Sequence, residues 1–194
     1  MDLDKNFWDH RYHTGDTGWD AGNITTPLKE YFDQLKDKKI KILIPGAGYG
    51  HEAKYLWERG FTNLFVADIS SLPLESIKES LPNFPDEQLL NEDFFELAEN
   101  NFDLIVEQTF FCAIHPKLRK KYAEKMHSLL RKGGKLAGLL FDDLLNDDKP
   151  PFGGTKEEYI SYFRPLFEIK YFDKCYNSIS PRAGRELFIL LIKL

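Results

Sequence analysis

Residues 40–52, IKILIPGAGYGHE, constrain the fold of this chain more than any other segment. The run IKILIP is apolar and rich in β-branched isoleucine, without the alternation of a strand that faces water on one side. It predicts a β-strand buried on both faces. Gly46, Gly48 and Gly50 follow at once and precede HEAKYLWERG, in which Ala53, Leu56 and Trp57 share a helical face and Gly60 supplies a C-terminal cap. Glycines between a buried strand and a helix permit a tight turn and let a ligand approach the backbone, because no Cβ is in the way. In open α/β sheets ligands bind at this carboxyl end of the strands.

The same alternation runs through the chain. Upstream, Thr26 can cap a helix that starts near Pro27 and sets Leu28, Tyr31, Phe32 and Leu35 on one face. Downstream, NLFVADI predicts a second buried strand, SLPLESIKESL a helix weakened by Pro73, LLNED a short third strand, and FDLIVEQ, residues 102–108, a fourth. Residues 116–130 predict a helix that opens at Pro116, lines one side with Leu118, Tyr122 and Leu129, and is ended by Gly133-Gly134. KLAGLLF predicts a fifth strand and GTKEEYISYFRP a helix stopped at Pro165. FEIKYFDKCY and ELFILLIKL predict two last strands joined by SISPRAGR, which has turn chemistry. This order predicts an α/β fold: a Rossmann-like, doubly wound, mostly parallel seven-stranded sheet with helices on both faces. The last connection holds no crossover helix, so the sheet should close with a C-terminal antiparallel hairpin.

The 194 residues predict a single domain, residues 1–26 forming an aromatic N-terminal segment and 27–194 the α/β core. Hydrophobic residues at 42% suffice for a continuous core and exceed what a disordered chain carries. The 26 Lys and Arg against 31 Asp and Glu, with no long basic run, argue against nucleic acid as a partner. No apolar run reaches the roughly 18 residues of a membrane span, and the start MDLDKNFW lacks the apolar centre of a signal peptide. The expectation is a cytoplasmic protein with no membrane partner. Cys112 and Cys175 make neither a disulfide framework nor a metal spacing, and His10 and His13 lack further ligands, so no metal is expected.

The glycine turn discriminates between ligands. A dinucleotide fingerprint counted from Gly46 would end on His51; counted from Gly48 it fits at Gly50 and Ala53, but the next acid then lies closer than expected, and a phosphate-binding GxxxxGK[ST] is absent. The pattern suits a nucleoside that brings no pyrophosphate into the turn. Asp68 ends the second strand, 22 residues after Gly46, where a carboxylate can accept both hydroxyl protons of a ribose or, alternatively, cap the helix at Ser70-Ser71. Asp93 and Phe94 follow the third strand; they can hold an adenine by its amino group and face, or form a capped, buried phenylalanine beside Phe95. Phe7, Trp8, Tyr12 and Trp19 lie in a segment with little helical or strand periodicity. They either staple a loop-like arm to the core or cover a ligand as a lid.

PGAGYGHE, VADIS, EDFFEL and FDLIVEQTFFCAIHP together resemble class I S-adenosylmethionine-dependent methyltransferases. More narrowly, FWDHRYHTGDTGWDAG and KPPF resemble the thiopurine S-methyltransferase family and its plant halide/thiol methyltransferase branch. The likeness runs from about Trp8 to the C-terminus. It implies S-adenosyl-L-methionine as methyl donor, S-adenosyl-L-homocysteine as product and a small soft nucleophile (thiol, thiopurine or halide) as acceptor, with the enzyme acting as a monomer. It implies that Trp8, Tyr12 and Trp19 lie over the cofactor, that Gly46 and Gly48 approach its methionine part, that Asp68 takes the ribose and that Asp93 and Phe94 hold the adenine. Gln108 falls at a cofactor-contacting position, although Glu107-Gln108 replaces the Asp-Tyr or Asp-Arg of relatives. Arg119 matches an arginine near cofactor and acceptor, and Phe152 stands where the halide/thiol enzymes have tyrosine and the thiopurine enzymes phenylalanine. Arg119 and Phe152 are thus candidates for positioning the acceptor.

In-line transfer to a thiolate needs no strong general base, and neither a Ser/His/Asp set nor a carboxylate pair is present. Arg182 and Arg185 could also favour an anionic acceptor, but read as solvated surface arginines; Asp142, Asp143, Asp147 and Asp148 read as a solvated loop. His115 opens a helix or, for an alcohol or amine acceptor, serves as acid or base, and Cys112 reads as buried and inert. The rival readings are an O- or N-methyltransferase of a small metabolite and a non-catalytic nucleoside-binding module. A nicotinamide oxidoreductase is disfavoured by the missing pyrophosphate fingerprint.

Overall fold

A computed structural model of the chain describes residues 2–194. The run after Lys41 forms strand β1 (Ile42–Pro45), buried at every position, as a strand covered on both faces must be. Its parallel neighbour β2 (Leu64–Ala67) carries the second apolar run, and β2 pairs in parallel with the short β3 (Leu89–Leu90). Around them stand α1 (Lys5–His13), α2 (Thr26–Asp33), α3 (His51–Glu58) and α4 (Ser71–Ser80). Pro73 sits in the first turn of α4, where its missing N–H costs nothing. These elements belong to the first of two compact units, Asp2–Ala98.

The second unit, Glu99–Leu194, contains β4 (Phe102–Gln108), α5 (Arg119–Leu129), β5 (Leu130–Phe141), α6 (Lys156–Phe163), β6 (Phe167–Lys174) and β7 (Glu186–Lys193). β4 and β5 are parallel, whereas β7 runs antiparallel to both β5 and β6. The strands make a seven-stranded mixed sheet that ends in the antiparallel hairpin.

Two expectations need correction. The segment bearing Trp8 and Tyr12 is a helix, α1, not a loop-like arm. Asp4 caps it by accepting from the Phe7 amide at 3.0 Å, and Lys5 pairs with Asp9 one turn on; none of its residues is buried, so no apolar stripe announces it. The helix expected to end at Gly133-Gly134 stops at Leu129, and both glycines lie within β5. A Cβ at Gly134 would stand 2.7 Å from the Phe102 carbonyl oxygen, beside the irregular register between Phe102 and Leu104, so the glycine serves strand pairing.

Candidate functional site

The turn after β1 needs its glycines. Gly46, Gly48 and Gly50 have φ of 63°, 53° and 72°, a region that costs an L-residue about 1–2 kcal/mol. The Gly46 amide donates to the Ala67 carbonyl at 2.8 Å, which ties the turn to the end of β2.

Asp68, the next residue, sets a carboxyl beside the turn. Its carboxylate accepts from the Ser70 amide at 2.9 Å, and the Ala47 and Gly48 amides face it closely enough to favour its charged form. The glycine turn therefore points backbone dipoles at an acid on the neighbouring strand. Burial nevertheless pushes the Asp68 carboxyl up to about 7, against those three amides, and the Asp9 charge acts in the same sense as burial. The α4 cap is Ser70, whose hydroxyl oxygen accepts from the Leu72 amide, so Asp68 does not fill the N-cap position itself.

Four aromatic rings stand at the turn. Trp19 meets Trp8 edge-on at 5.8 Å and Tyr12 at 5.5 Å, and Tyr12 meets Tyr49 at 5.9 Å, all between ring centroids. A Cβ on Gly48 would lie 3.7 Å from Trp19 Nε1. Burial, then the charges of Asp68, Tyr49 and Asp20, drive the Tyr12 phenol far above its usual range, so it stays a neutral donor. The Arg11 guanidinium lies 4.8 Å from the Trp19 ring centre and pairs with Asp16 at 3.1 Å. His51 Nε2 and Asp20 Oδ1, 2.7 Å apart, tie the Trp19 loop to the first residue of α3. The Lys5 ammonium, with the Ser70 side chain nearby, holds the Asp9 carboxyl below the usual carboxylate range. The residues expected to form a lid are thus assembled on the glycine turn. Sequence reasoning missed Tyr49, Arg11 and the His51–Asp20 tie; of these only Tyr49, inside the glycine motif, carried a signal.

Asp93 is exposed and accepts from the Phe95 amide at 2.9 Å, capping the turn in which Phe94 is buried. Trp8, Tyr12, Trp19, Gly46, Gly48, Asp68, Asp93 and Phe94 all lie in the first unit; Gln108, Arg119 and Phe152 belong to the second.

In the second unit Gln108 ends β4 and is half-buried. Arg119 and Phe152 are brought together, but both are enclosed, at 1% and 2% exposure. Arg119 Nη1 donates to Glu158 at 2.8 Å, and Nη2 donates to the Gly153 carbonyl at 2.8 Å and reaches that of Phe152 at 3.5 Å. His115 caps the turn at Pro116, its Nδ1 accepting from the Lys117 amide at 3.2 Å, and its ring lies 5.6 Å from that of Phe152. Cys112 is buried, and burial followed by the Glu107 charge pushes its thiol up to about 12.

Arg182 is not a solvated surface arginine: it is 8% exposed, 3.6 Å from Glu186, with the Phe141 ring centre 5.8 Å away. Arg185 is exposed and pairs with Asp143. The acidic loop is likewise only partly solvated. Asp142 accepts from the Lys156 amide at 3.0 Å and pairs with Lys174 at 2.8 Å, whereas Asp147 and Asp148 are exposed. Among the described residues no group of three or more His, Cys, Asp or Glu is placed to hold a metal, and no helix is long and apolar enough to cross a membrane.

Asp68 and Glu107 make stability pH-dependent. Burial raises each carboxyl to about 7, from 3.8 and 4.5 respectively. A carboxyl raised on folding binds its proton more tightly in the native state. Its contribution is complete below the unfolded value and is lost as pH rises through about 7. The ligand-free protein should therefore lose up to about 5 kcal/mol between pH 5 and 8, about half from each carboxyl. Denaturant titration across that range checks this; a flat profile would mean that neither carboxyl is raised.

The sequence matches the profile of the family described as thiopurine S-methyltransferase over residues 3–187. It is 34% identical over 185 residues to a probable thiol methyltransferase 2 of Arabidopsis thaliana, covering 92% of this chain and 81% of that one. It is 30% identical over 191 residues to thiocyanate methyltransferase 1 of Brassica oleracea, covering 95% and 83%. A solved structure of similar fold is the 1,6-didemethyltoxoflavin-N1-methyltransferase of Burkholderia thailandensis with bound 1,6-didemethyltoxoflavin and S-adenosylhomocysteine. Its TM-score is 0.77 at 19% identity, over 97% of this chain and 86% of that one.

Proposed function

We propose, on the premise that the chain belongs to the thiopurine S-methyltransferase family, that it is an S-adenosylmethionine-dependent methyltransferase acting on a small soft nucleophile: a thiol, a thiopurine or a halide. The observation that carries this reading is the Asp68 carboxylate, half-exposed at the end of β2 and faced by the amides of a turn whose glycines all have positive φ. These residues fit a nucleoside donor. Asp68 can accept from both ribose hydroxyls, and Gly46 and Gly48 leave room for the methionine part. Asp93 and Phe94 are assigned to the adenine, and Gln108 to a further cofactor contact.

The donor supplies an activated methyl: its sulfonium–carbon bond breaks as the acceptor–carbon bond forms, leaving a neutral thioether. The chain's task is to position both partners and exclude water. Trp8, Tyr12 and Trp19 suit that task, since their faces attract a cation and their bulk excludes solvent. Arg119 and Phe152 are assigned to the acceptor side, Arg119 acting by holding the backbone at Phe152 and Gly153. A soft acceptor also agrees with how the two candidate bases near the end of β4 are engaged. Glu107 is enclosed by three donors, and His115 accepts a cap bond. We assign the enzyme to the cytoplasm, as a monomer.

Calorimetric titration with S-adenosylhomocysteine, followed by a thiol, thiopurine and halide panel with radiolabelled donor, tests the reading. Label on thiols or halides is expected. Label confined to hydroxyl or amine acceptors would transfer the enzyme to O- or N-methylation, and binding without turnover would make it a nucleoside-binding module. Because the ribose needs the Asp68 carboxylate ionised, affinity should fall about tenfold per pH unit below 7. Trp19→Ala should weaken cofactor binding about tenfold while leaving the ligand-free melting temperature nearly unchanged, since Trp19 is only half-buried. Equal losses of melting temperature with and without ligand would leave Trp19 a packing role alone.

A further inference from the structure

Position 107 interrupts the apolar strand FDLIVEQ with a carboxyl that is 0% exposed. Burying a carboxyl is costly unless donors surround it, and three do. Its Oε1 accepts from the Phe110 amide at 2.8 Å and the Phe111 amide at 2.9 Å, and its Oε2 accepts from the Tyr122 hydroxyl of α5. The opposite strand makes way for it. Gly138 of β5 pairs with Glu107, and a Cβ there would stand 2.6 Å from Glu107 Cβ and 2.0 Å from its carbonyl oxygen.

The segment so held is strained. Thr109, β-branched, has φ of 57°, a conformation that glycine would adopt freely. It separates Gln108 from the two amides that Glu107 binds. A buried carboxyl and a left-handed threonine each destabilise the fold. Their meeting in one five-residue stretch, 107–111, at the carboxyl end of β4 indicates that the shape of this turn is what they maintain.

We propose that Glu107 is a positioning residue for methyl transfer: through the Phe110 and Phe111 amides and Tyr122 it clamps the turn that carries Gln108, the residue assigned above to a cofactor contact. This rests on the methyltransferase reading above. Glu107 touches neither donor nor acceptor in this role; it fixes the backbone that does. Gln is isosteric with Glu but neutral: its oxygen can still accept from the two backbone amides while its nitrogen meets the Tyr122 hydroxyl, so Glu107→Gln removes the charge that strengthens the clamp with little change in volume. Glu107→Asp keeps the carboxylate and should restore much of it.

The test compares wild type, Glu107→Gln and Glu107→Asp, well below the melting temperature of each. Amide hydrogen exchange at Phe110 and Phe111 is read alongside kcat on the best acceptor of the panel and the S-adenosylhomocysteine dissociation constant. Glu107→Gln should speed exchange at both amides and lower kcat about tenfold with the dissociation constant within about twofold of wild type, and Glu107→Asp should recover most of both. Unchanged exchange at both amides, or unchanged kcat, overturns the proposal. Should Glu107→Gln not fold, Tyr122→Phe, which removes one donor only, is read by the same criteria. A wild type that binds no S-adenosylhomocysteine defeats the methyltransferase reading instead, a result that the exchange measurement does not depend on.

Discussion

Asp68→Ala is expected to raise the dissociation constant for S-adenosylhomocysteine about 100-fold, a loss of about 2.7 kcal/mol. The carboxylate at the end of β2 accepts from the Ser70 amide at 2.9 Å and is faced by the Ala47 and Gly48 amides, so it is held in place before any ligand arrives. A hydrogen bond to a charged group is worth about 1.5–3 kcal/mol, and a ribose offers two hydroxyls to this carboxylate. The effect is predicted on binding more than on folding, because Asp68 and Gly48 are only half-buried and water can take the place of the lost carboxyl there, although the Ser70 and Ala47 backbone is buried. Asp68→Asn keeps one acceptor oxygen and should fall between the two. Calorimetry at pH 8, where the wild-type carboxyl is ionised, separates the variants. A dissociation constant within about threefold of wild type for Asp68→Ala would remove the ribose role.

Gly50→Ala is expected to cost about 2–5 kcal/mol of stability, from two sources. With φ at 72°, alanine there pays about 1–2 kcal/mol for the left-handed conformation. Its Cβ would also lie 2.3 Å from Cγ1 and 2.7 Å from Cδ1 of Ile77. Ile77 is buried in α4 and β-branched, so it has little freedom to withdraw, and such overpacking adds about 1–3 kcal/mol. Gly60→Ala is the control: φ is 84°, yet nothing lies within 4 Å of the new Cβ, so only the conformational part should appear. Denaturant unfolding of both variants measures the difference. Equal losses would mean that α4 does not press on the turn.

The fold was legible because its signals are local. Buried strands show as unbroken apolar runs, and the glycine turn had to be glycine at each position where φ is positive. The place of Asp68 at the end of β2 was legible too, because its distance from the turn follows from the length of one helix and one strand. The helix α1 was not, since it buries no residue and rests on a cap, an i,i+4 pair and contacts made far along the chain. Arg182 and Asp142 misled for the opposite reason. Charged residues near turns are usually solvated, and only the fold shows that Arg182 meets Glu186 and that Asp142 anchors the start of α6. Arg119 was found by likeness, whereas its bonds to Glu158 and to the Gly153 carbonyl span separations of 39 and 34 residues that no periodicity encodes.

Crystals grown with S-adenosylhomocysteine give the most direct measurement. Electron density should place the ribose hydroxyls within hydrogen-bonding distance of the Asp68 carboxyl, with Trp8, Tyr12 and Trp19 packed over the nucleoside. A homocysteine adduct bound elsewhere on the chain, or a glycine turn left vacant at saturating ligand, would contradict the account.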